Sequence, residues 1–365
     1  MEEELKYRIA LTLIPGIGDV LGKKLVAYCG GVEAVFRQKK SALMKIPGIC
    51  EFYANAVLRH RVFGRAEEEV SYLKKSGIQA LFYLDENYPF RLRQCADSPM
   101  MLYYKGTAAF KSRKIISIVG TRKATEYGRD CCESLVADLA GEDVLIVSGL
   151  AYGIDICAHR ASMKAGIETV GVLAHGLDDI YPSPHDSVAG RMCRHGGLMS
   201  DYISGTRPDK ENFPRRNRIV AGICEVLIVV ESAIDGGSMI TAEIANSYSR
   251  DVFAFPGRKG DAFSAGCNKL IRENKAGLLE GGKDLIRQMG WEEKKPGPPR
   301  QQQLFVKLNA EEELIVESMK DKGNVHIDEI TVMASMPGRK VSSLLLNLEF
   351  AGVLKSLPGK MYRLL

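Results

Sequence analysis

Residues 115–119 read Ile-Ile-Ser-Ile-Val, an almost unbroken apolar run, and Gly120-Thr121-Arg122 follow it directly. Four more runs of this kind alternate with helical stretches farther along the chain, at 144–147, 169–173, 226–230 and 252–255. Near-continuous apolar strands separated by helices indicate a parallel sheet that is covered on both faces. We therefore predict an α/β core with a Rossmann-like, doubly wound, mostly parallel sheet. Such sheets bind ligands in the loops at the carboxyl ends of their strands.

The loop after the first run carries Arg122 at the point where a helix is predicted to begin. Gly120-Thr121-Arg122-Lys123 lacks the later glycines of the dinucleotide-binding pattern Gly-x-Gly-x-x-Gly. An arginine beside a helix N-terminus suits a phosphate group, because its planar fork and the free N–H groups converge on one anion. The alternative is an arginine that braces the loop by bonding to carbonyl groups.

The loop after the second run, residues 148–155, reads Ser-Gly-Leu-Ala-Tyr-Gly-Ile-Asp. Gly149 and Gly153 allow the backbone to approach a ligand closely. Asp155 and His159 lie four residues apart on a predicted helix, a spacing that also fits a catalytic pair. We favour a carboxylate at a helix N-terminus beside a packed histidine.

Two further loops are rich in groups that suit an anion. Residues 215–218, Arg-Arg-Asn-Arg, open a predicted helix. Because the macrodipole disfavours cations there, the placement calls for an external anion; the alternative is a solvated charged turn. Residues 236–241, Gly-Gly-Ser-Met-Ile-Thr, predict a phosphate cradle of N–H groups and the hydroxyls of Ser238 and Thr241. No Gly-Lys-Ser/Thr ending is present, so this is not a Walker A loop.

These strand ends suit phosphates, and none carries a metal-ligand cluster or a nucleophile with its base. We therefore predict a site that holds an anionic polymer or nucleotide without cutting it, with no catalytic residue, no metal and no cofactor. The predicted binding residues are Gly120, Thr121, Arg122, Lys123, Ser148, Gly149, Ala151, Gly153, Arg215, Arg216, Asn217, Arg218, Gly236, Gly237, Ser238 and Thr241.

Residues 1–63 are predicted to form a separate helical domain with glycine turns. Ile14-Pro15-Gly16-Ile17-Gly18 and Ile46-Pro47-Gly48-Ile49-Cys50 repeat one pattern and resemble a helix-hairpin-helix pair. The glycines of such hairpins let N–H groups approach a phosphate, although Cys50 replaces the last glycine in the second copy. The alternative is a compact helical module whose Pro-Gly turns only reverse the chain.

The core is predicted at 64–292, a linker at 293–309 and a winged-helix domain at 310–365. Residues 294–303, Lys-Lys-Pro-Gly-Pro-Pro-Arg-Gln-Gln-Gln, have the composition of a linker. Three helical patterns and a hairpin around Pro358-Gly359 indicate the winged helix. This domain holds seven Lys and Arg against eight Asp and Glu. Because phosphate neutralisation needs cations, we favour an ancillary or protein-contact role over direct DNA reading.

The composition is that of an ordinary globular protein. A net charge of +5 permits an anionic partner without requiring one. The nine cysteines form no Cys-x-x-Cys pair, which favours a reduced compartment and argues against a zinc ribbon. Neither a signal peptide nor a long apolar span is visible, so we expect a cytoplasmic protein that does not contact a membrane.

Five ordered motifs closely resemble the signature of the DprA/Smf family of DNA-processing proteins. They are Ile118–Arg122, Ser148–Asp155, Gly176–Pro182, Phe213–Ile219 and Gly236–Ala242. The resemblance covers the whole core, and helical and winged-helix modules at the two ends also suit the family.

The resemblance implies a protein that binds incoming single-stranded DNA in natural transformation, protects it and helps to load the RecA recombinase. It also implies a homodimer formed through the core, with Arg122 as a main DNA contact. After Tyr-Pro many relatives have lysines that contribute to DNA binding, whereas this chain reads Ser183-Pro184-His185-Asp186. Arg191 and Arg194 are candidates to replace those lysines. A housekeeping or defence role stays open.

Two rival hypotheses belong to other functional classes. One is a nucleotide hydrolase like the lysine-decarboxylase-like (LOG) phosphoribohydrolases, whose Pro-Gly-Gly-x-Gly-Thr-x-x-Glu loop is broken here at 236–241, with Glu243 at the wrong spacing. The other is a transcription regulator that reads duplex DNA with its winged helix, against which the acidic balance of that domain argues.

Overall fold

The computed structural model describes residues 2–111, 114–292 and 308–365. Most of the predicted linker, 293–309, lies outside these residues. Within them, nine strands form one sheet in the order β1-β2-β6-β5-β4-β3-β7-β8-β9. The strands are β1 Gln79–Phe82, β2 Met101–Gly106, β3 Lys114–Val119, β4 Val144–Ser148, β5 Thr169–Val172, β6 Gly196–Ser200, β7 Val226–Val229, β8 Asp251–Ala254 and β9 Gly277–Leu278.

The helices that the structure describes span all three predicted domains. In chain order they are α1 Glu2–Leu13, α2 Asp19–Cys29, α3 Val32–Phe36, α4 Lys40–Leu43, α5 Glu51–Leu58, α6 Phe63–Ser76, α7 Phe90–Arg93, α8 Glu126–Asp138, α9 Ile154–Lys164, α10 Asp186–Met192, α11 Asn212–Ile223, α12 Gly237–Ser247, α13 Ala265–Arg272, α14 Gly282–Gln288, α15 Ala310–Met319, α16 Ile327–Met333 and α17 Gly338–Phe350. Among the described residues, no helix combines the length and apolar character needed to cross a membrane.

The sheet is parallel except where β2 pairs with β1 and with β6. Its central strand β3 is buried on both faces. Ile115 and Val119 belong to the apolar cluster that contains residues of α11, α12 and α13, whereas Ile116 and Ile118 belong to the cluster that contains residues of α8, α9 and α14. A doubly covered strand has no polar face, which is why its sequence is a continuous apolar run. The predicted Rossmann-like, doubly wound fold is confirmed.

The order of the strands creates a switch point between β3 and β7. From β3 the chain adds β4, β5 and β6 on one side, and it then returns to add β7, β8 and β9 on the other. The helices that follow parallel strands run back antiparallel to them, so α8, α9, α11 and α12 all begin at the carboxyl edge of the sheet. Open α/β sheets bind their ligands at such an edge beside the switch point.

The N-terminal helices pack on the antiparallel end of the sheet. Ile9 and Leu11 share one apolar cluster with Phe82 of β1 and Tyr103 of β2. The Pro-Gly turns reverse the chain at Gly16 and Gly48, whose φ angles of 82° and 87° favour glycine. Because α6 begins at Phe63 and packs against α1, the boundary at residue 63 stays a prediction.

The C-terminal domain is a winged helix with its own apolar cluster. Helices α15, α16 and α17 pack beside a three-stranded antiparallel sheet of β10 Val325–His326, β11 Leu354–Leu357 and β12 Met361–Leu364. Asn309 begins α15 through a capping box with Glu312. The wing turn at Gly359 lies against Glu225 at the amino edge of the core sheet. The predicted winged-helix domain is confirmed.

Candidate functional site

Arg122 lies exposed at the carboxyl edge, in the loop after β3. Within the described part of the chain it forms no ion pair, and its guanidinium carbon lies 5.2 Å from the centroid of the Phe213 ring. Phe213 in turn contacts Tyr181 at a centroid distance of 6.1 Å. A cation over an aromatic face is held by the ring quadrupole while its N–H groups stay free for an anion.

Exposed aromatic rings surround this arginine. About half of the surface of Tyr152 and of Tyr181, 49% and 50%, is exposed to solvent, which is a large fraction for an aromatic residue of a folded domain. Tyr152 packs edge-on against His185 at 4.9 Å. We call Arg122, Tyr152, Tyr181 and Phe213 the aromatic platform. None of these three aromatic residues is among the binding residues that we predicted from the sequence.

Beneath the platform lies a cavity of about 40 Å³, enough for about one water molecule. Two buried polar atoms on its lining have no hydrogen-bond partner in the described chain, the Nε of Arg216 and the Nε2 of His175. His175 Nδ1 donates to Gly176 O at 2.9 Å, so the neutral ring presents Nε2 as an acceptor. Burial lowers the pKa of His175, which favours that neutral form. The cavity therefore offers one donor and one acceptor.

Arg216 belongs to the floor of the site and not to its surface. It is 5% exposed and donates from Nη1 to Val172 O. Burial lowers its pKa while Asp155 opposes that change, and burial raises the pKa of Asp155 while Arg216 opposes it. A Cβ on Gly149 would lie 2.3 Å from Asp155 Oδ2 and 2.8 Å from both terminal nitrogens of Arg216. Gly149 is therefore required because the buried Asp155 carboxylate and the buried Arg216 guanidinium both lie close to its backbone.

Asp155 and His159 do not form a catalytic pair. His159 is fully buried, its Nε2 donates to Gly149 O at 2.5 Å, and its Nδ1 lies 2.6 Å from the Thr169 hydroxyl. Burial lowers the pKa of His159 to about 4, so the ring is neutral at pH 7. Both nitrogens are engaged inside the core, as in the packed histidine that we favoured from the sequence.

The other two arginines of the 215–218 cluster have different environments. Arg215 is exposed and has no ion-pair partner in the described chain. Arg218 donates to Asp201 Oδ2 at 2.8 Å, to Asp19 Oδ2 at 3.0 Å and to Asp97 O. Its guanidinium is therefore occupied by protein acceptors, and it joins α2 of the N-terminal helices to the core.

The Gly-Gly-Ser loop presents glycine and not hydroxyl groups to solvent. Ser238 is buried and donates to Ser232 Oγ at 2.7 Å, and the buried Thr241 hydroxyl donates to Gly237 O at 3.3 Å. Gly236 caps α12 without a side-chain bond, and Gly237 is exposed. In the predicted phosphate cradle, the backbone at Gly237 is therefore accessible to a ligand, whereas both hydroxyl groups donate hydrogen bonds within the protein.

Glu231 links the loops on the two sides of the switch point, and sequence reasoning did not identify this role. The carboxylate is 2% exposed and accepts from Thr125 N at 2.9 Å and from the Thr125 hydroxyl at 2.6 Å. Thr125 is the N-cap of α8 and accepts from Gly128 N. A Cβ on Gly128 would lie 2.1 Å from Glu231 Oε2. The only local sequence signal was the capping pattern that begins at Thr125.

Comparison with protein families decides the identity of the chain. The family model described as DNA recombination-mediator protein A matches residues 79–290, more than half of the chain, and a DprA winged helix domain model matches 295–360. The chain belongs to the DprA/Smf family.

The curated relatives of this DprA/Smf chain agree over most of its length. A putative DNA processing protein DprA of Mycobacterium tuberculosis is 33% identical over 354 residues, which cover 92% of this chain and 88% of the relative. Protein Smf of Escherichia coli is 31% identical, covering 82% and 84%. The predicted family is therefore confirmed, together with a role in DNA processing.

A solved structure of DprA from Streptococcus pneumoniae has the same fold. It matches with a TM-score of 0.66 and 32% identity over 77% of this chain and 97% of that one. A structure of DprA from Helicobacter pylori, solved to show its single-stranded DNA binding mode, matches with a TM-score of 0.51 and 28% identity over 58% and 96%.

The remaining predicted residues of the DprA/Smf pattern mostly shape the loops. Gly120 and Gly153 lie where the loop after β3 contacts the start of α9. A Cβ on Gly120 would lie 2.5 Å from Ile154, and a Cβ on Gly153, whose φ is 78°, would lie 2.1 Å from Thr121 O. Thr121 Oγ1 accepts from Lys123 N at 3.1 Å. The side chain of Lys123 is exposed, Ala151 lines the small cavity, Asn217 is half-buried, and Ser148 is buried and donates to Ile118 O at 2.6 Å.

The segment 183–186, which departs from the DprA/Smf pattern, places a histidine in the protein interior. His185 is buried, and its Nδ1 donates to Leu150 O at 2.8 Å. Arg191 lies in the last turn of α10 and Arg194 follows that helix, just before β6 begins at Gly196. Because α10 runs antiparallel to the strands, both arginines lie toward the amino edge. The suggestion that they replace the missing lysines is therefore wrong.

Proposed function

We propose that this chain binds single-stranded DNA at the carboxyl edge of its sheet and catalyses no reaction on it. The observation that carries the proposal is the aromatic platform, where the exposed Arg122 lies over Phe213, has no ion-pair partner among the described residues, and lines one small cavity together with Tyr152 and Tyr181. An unpaired cation suits a phosphate, and exposed rings suit unpaired bases.

The preference for a single strand follows from the aromatic rings. Stacking on a side chain requires an unpaired base whose face is free, and a duplex hides those faces. The single-stranded DNA binding mode of the Helicobacter pylori relative supports this choice. We expect little base preference, since every base has a stacking face.

The predicted binding residues divide by exposure into two groups. We assign direct DNA contact to Arg122, Lys123 and Arg215, whose charged groups are exposed, and to the backbone of Gly237. We assign a role in holding the loops in place to the other members of the predicted set, which are buried or half-buried, namely Gly120, Thr121, Ser148, Gly149, Ala151, Gly153, Arg216, Asn217, Arg218, Gly236, Ser238 and Thr241.

A non-catalytic role agrees with the chemistry of the buried groups. Asp155 is packed against Arg216, and both nitrogens of His159 have partners in the core. Neither group reaches a bound strand as a nucleophile or a base. Family membership supports the finer proposal that the protein protects incoming DNA, helps to load RecA in natural transformation and recombination, and forms a homodimer through its core.

The first experiment is fluorescence anisotropy with a labelled 20-mer as a single strand and as a duplex, over a salt series. Arg122→Ala is expected to weaken single-strand binding about tenfold or more, because a phosphate contact and a stacked cation are lost together. Arg272→Ala, which removes an exposed arginine from the last turn of α13 at the opposite edge, is the matched control. Tighter duplex binding, or equal affinities for Arg122→Ala and the control, would refute the proposal.

A second experiment addresses the partners. RecA filament formation on strands coated with single-strand-binding protein is expected to accelerate when this chain is added, and light scattering is expected to give twice the 40.2 kDa chain mass. A monomer at micromolar concentration would refute the homodimer, and an unchanged lag before filament growth would refute the role in RecA loading. Neither result would affect the proposal of DNA binding.

A further inference from the structure

The carboxyl edge continues past the aromatic platform over the next two strands. β7 pairs with β3 on one side and with β8 on the other, so the loops after β3, β7 and β8 follow one another along the edge. The loop after β8 is held against its neighbours. Ser232 N donates to Phe263 O at 2.7 Å, and the Tyr127 hydroxyl at the start of α8 donates to Pro256 O.

This third loop carries two adjacent cations, Arg258 and Lys259. Both side chains are exposed, and neither forms an ion pair with another residue that the structure describes. For the nearest acidic residue in the sequence, Asp261, the described chain shows backbone bonds alone: its N–H donates to Arg258 O at 3.2 Å, and its carbonyl accepts from Ser264 N at 3.0 Å. The charge of this pair is therefore available to an external anion.

The surface between Arg122 and this pair is open. The loop after β7 passes there, and a Cβ on Gly237 would meet no atom within 4 Å. In the first turn of α12, Met239 N donates to Gly236 O at 3.0 Å, whereas helix geometry leaves the N–H groups of Gly237 and Ser238 without an acceptor within the helix. The positive end of the helix dipole faces the same side. Asp235, on this loop, is exposed and gives the path one negative charge.

We propose that a DNA strand held at the aromatic platform runs along the carboxyl edge, over the start of α12, to Arg258 and Lys259, which bind its phosphates. The proposal rests on the proposed function and extends it to a second contact at a defined distance. Adjacent strands of a sheet lie about 4.8 Å apart, so β3 and β8 are separated by about 10 Å. A stacked strand advances about 3.4 Å per nucleotide, which places the second contact about three nucleotides from the first.

The spacing makes the effect of these cations depend on the length of the oligonucleotide. The double variant Arg258→Gln/Lys259→Gln is expected to weaken binding of dT15 about tenfold and to reduce the slope of log K against log salt by about 1.4, for two phosphates at about 0.7 each. Binding of dT3, which fills the platform alone, is expected to stay within about twofold. Asp235→Asn is expected to tighten dT15 binding and to leave dT3 unchanged, since a like-sign charge is removed from the path.

The matched control removes one lysine and one arginine from the opposite edge. Lys164 and Arg272 are exposed in the last turns of α9 and α13, which end at the amino edge. Lys164→Gln/Arg272→Gln has the same change in net charge, so it reports any effect of overall charge. Circular dichroism melting of each variant checks that the fold is kept.

The outcomes separate this path from the proposed function. If the Arg258/Lys259 variant binds dT15 as the control does, or weakens dT3 as much as dT15, the path is overturned even though Arg122→Ala still weakens both oligonucleotides. If Arg122→Ala leaves both affinities unchanged, the platform is not the DNA site and the proposed function fails first.

Discussion

Asp328→Ala is expected to release the winged helix from the core. Arg250 of the core is 5% exposed, and its Nη1 donates to Asp328 Oδ2 in the first turn of α16 at 3.0 Å. Its Nη2 donates to Arg91 O at 2.6 Å and to Gly222 O at 3.1 Å. These carbonyl bonds keep the guanidinium in place after the substitution, so a buried cation would remain without its carboxylate.

The size of the effect follows from that unpaired charge. Removing one partner of a buried ion pair costs about 3–5 kcal/mol, and because Asp328 is 21% exposed we take the lower end, about 3 kcal/mol. The chain avoids this cost most easily by undocking, since the winged helix has its own apolar cluster and stays folded. At about 1.4 kcal/mol per factor of ten, docking should weaken roughly a hundredfold.

Hydrogen exchange at the wing measures docking directly. The wing turn at Gly359 packs against Glu225 of the core, where a Cβ would lie 2.8 Å from Glu225 Oε1, so peptides that cover Pro358–Lys360 should exchange up to a hundredfold faster in Asp328→Ala. Peptides from the interior of α17 should not change, which shows that the domain is still folded. Glu329→Ala removes the neighbouring carboxylate from the same helix turn, so it controls for the loss of a favourable interaction between a carboxylate and the helix dipole. Equal exchange at the wing in both variants would refute the role of Arg250.

Three further predictions concern the site and the pH dependence of the winged helix. Gly149→Ala should cost about 1–3 kcal/mol and lower the melting temperature of the core, because its Cβ would overlap Asp155; an unchanged melting curve would contradict this packing. Glu231→Gln should cost about 1–2 kcal/mol in urea unfolding by weakening the bonds from Thr125, and an unchanged midpoint would count against the link between the loops. Burial lowers the pKa of His326 from 6.5 to about 4, so the unfolded domain binds an extra proton between these values and stability should fall as pH falls through that window. His326→Gln should remove this pH dependence of stability, which is measured by hydrogen exchange in α17 at pH 7 and pH 5. If the pH dependence persists in the variant, it arises from another group.

The sheet could be predicted from the sequence because its burial leaves a strong local pattern. A strand covered on both faces is apolar at nearly every position, with Ser117 as the exception in this run, and the run at 115–119 ends at Val119, as β3 does. The strand ends then place the loops at one edge without any knowledge of side chains. This is why the location of the candidate site, at the loop that carries Arg122, also followed from the sequence.

The environment of each side chain at that edge could not be predicted in the same way. Arg215, Arg216 and Arg218 are neighbours in sequence, but a helix turns about 100° per residue and directs them to solvent, to the floor and to the N-terminal helices. Ser238 and Thr241 lie near the start of α12, where the sequence does not decide whether a hydroxyl faces solvent or forms a hydrogen bond within the protein. These differences depend on contacts made between segments far apart in the chain.

The bond between Arg218 and Asp19 also bears on the role of the N-terminal helices. The better of the two hairpin motifs leads into α2, where Asp19 is the first residue and also accepts from Met100 N at 2.7 Å. The start of α2 is thus directed at the core, which favours the compact module over a phosphate site in this hairpin. Because Arg218 lies on α11, the same bond fixes the helix that presents Arg215 at the carboxyl edge. Under the proposed function, the N-terminal helices therefore support DNA binding by positioning an arginine.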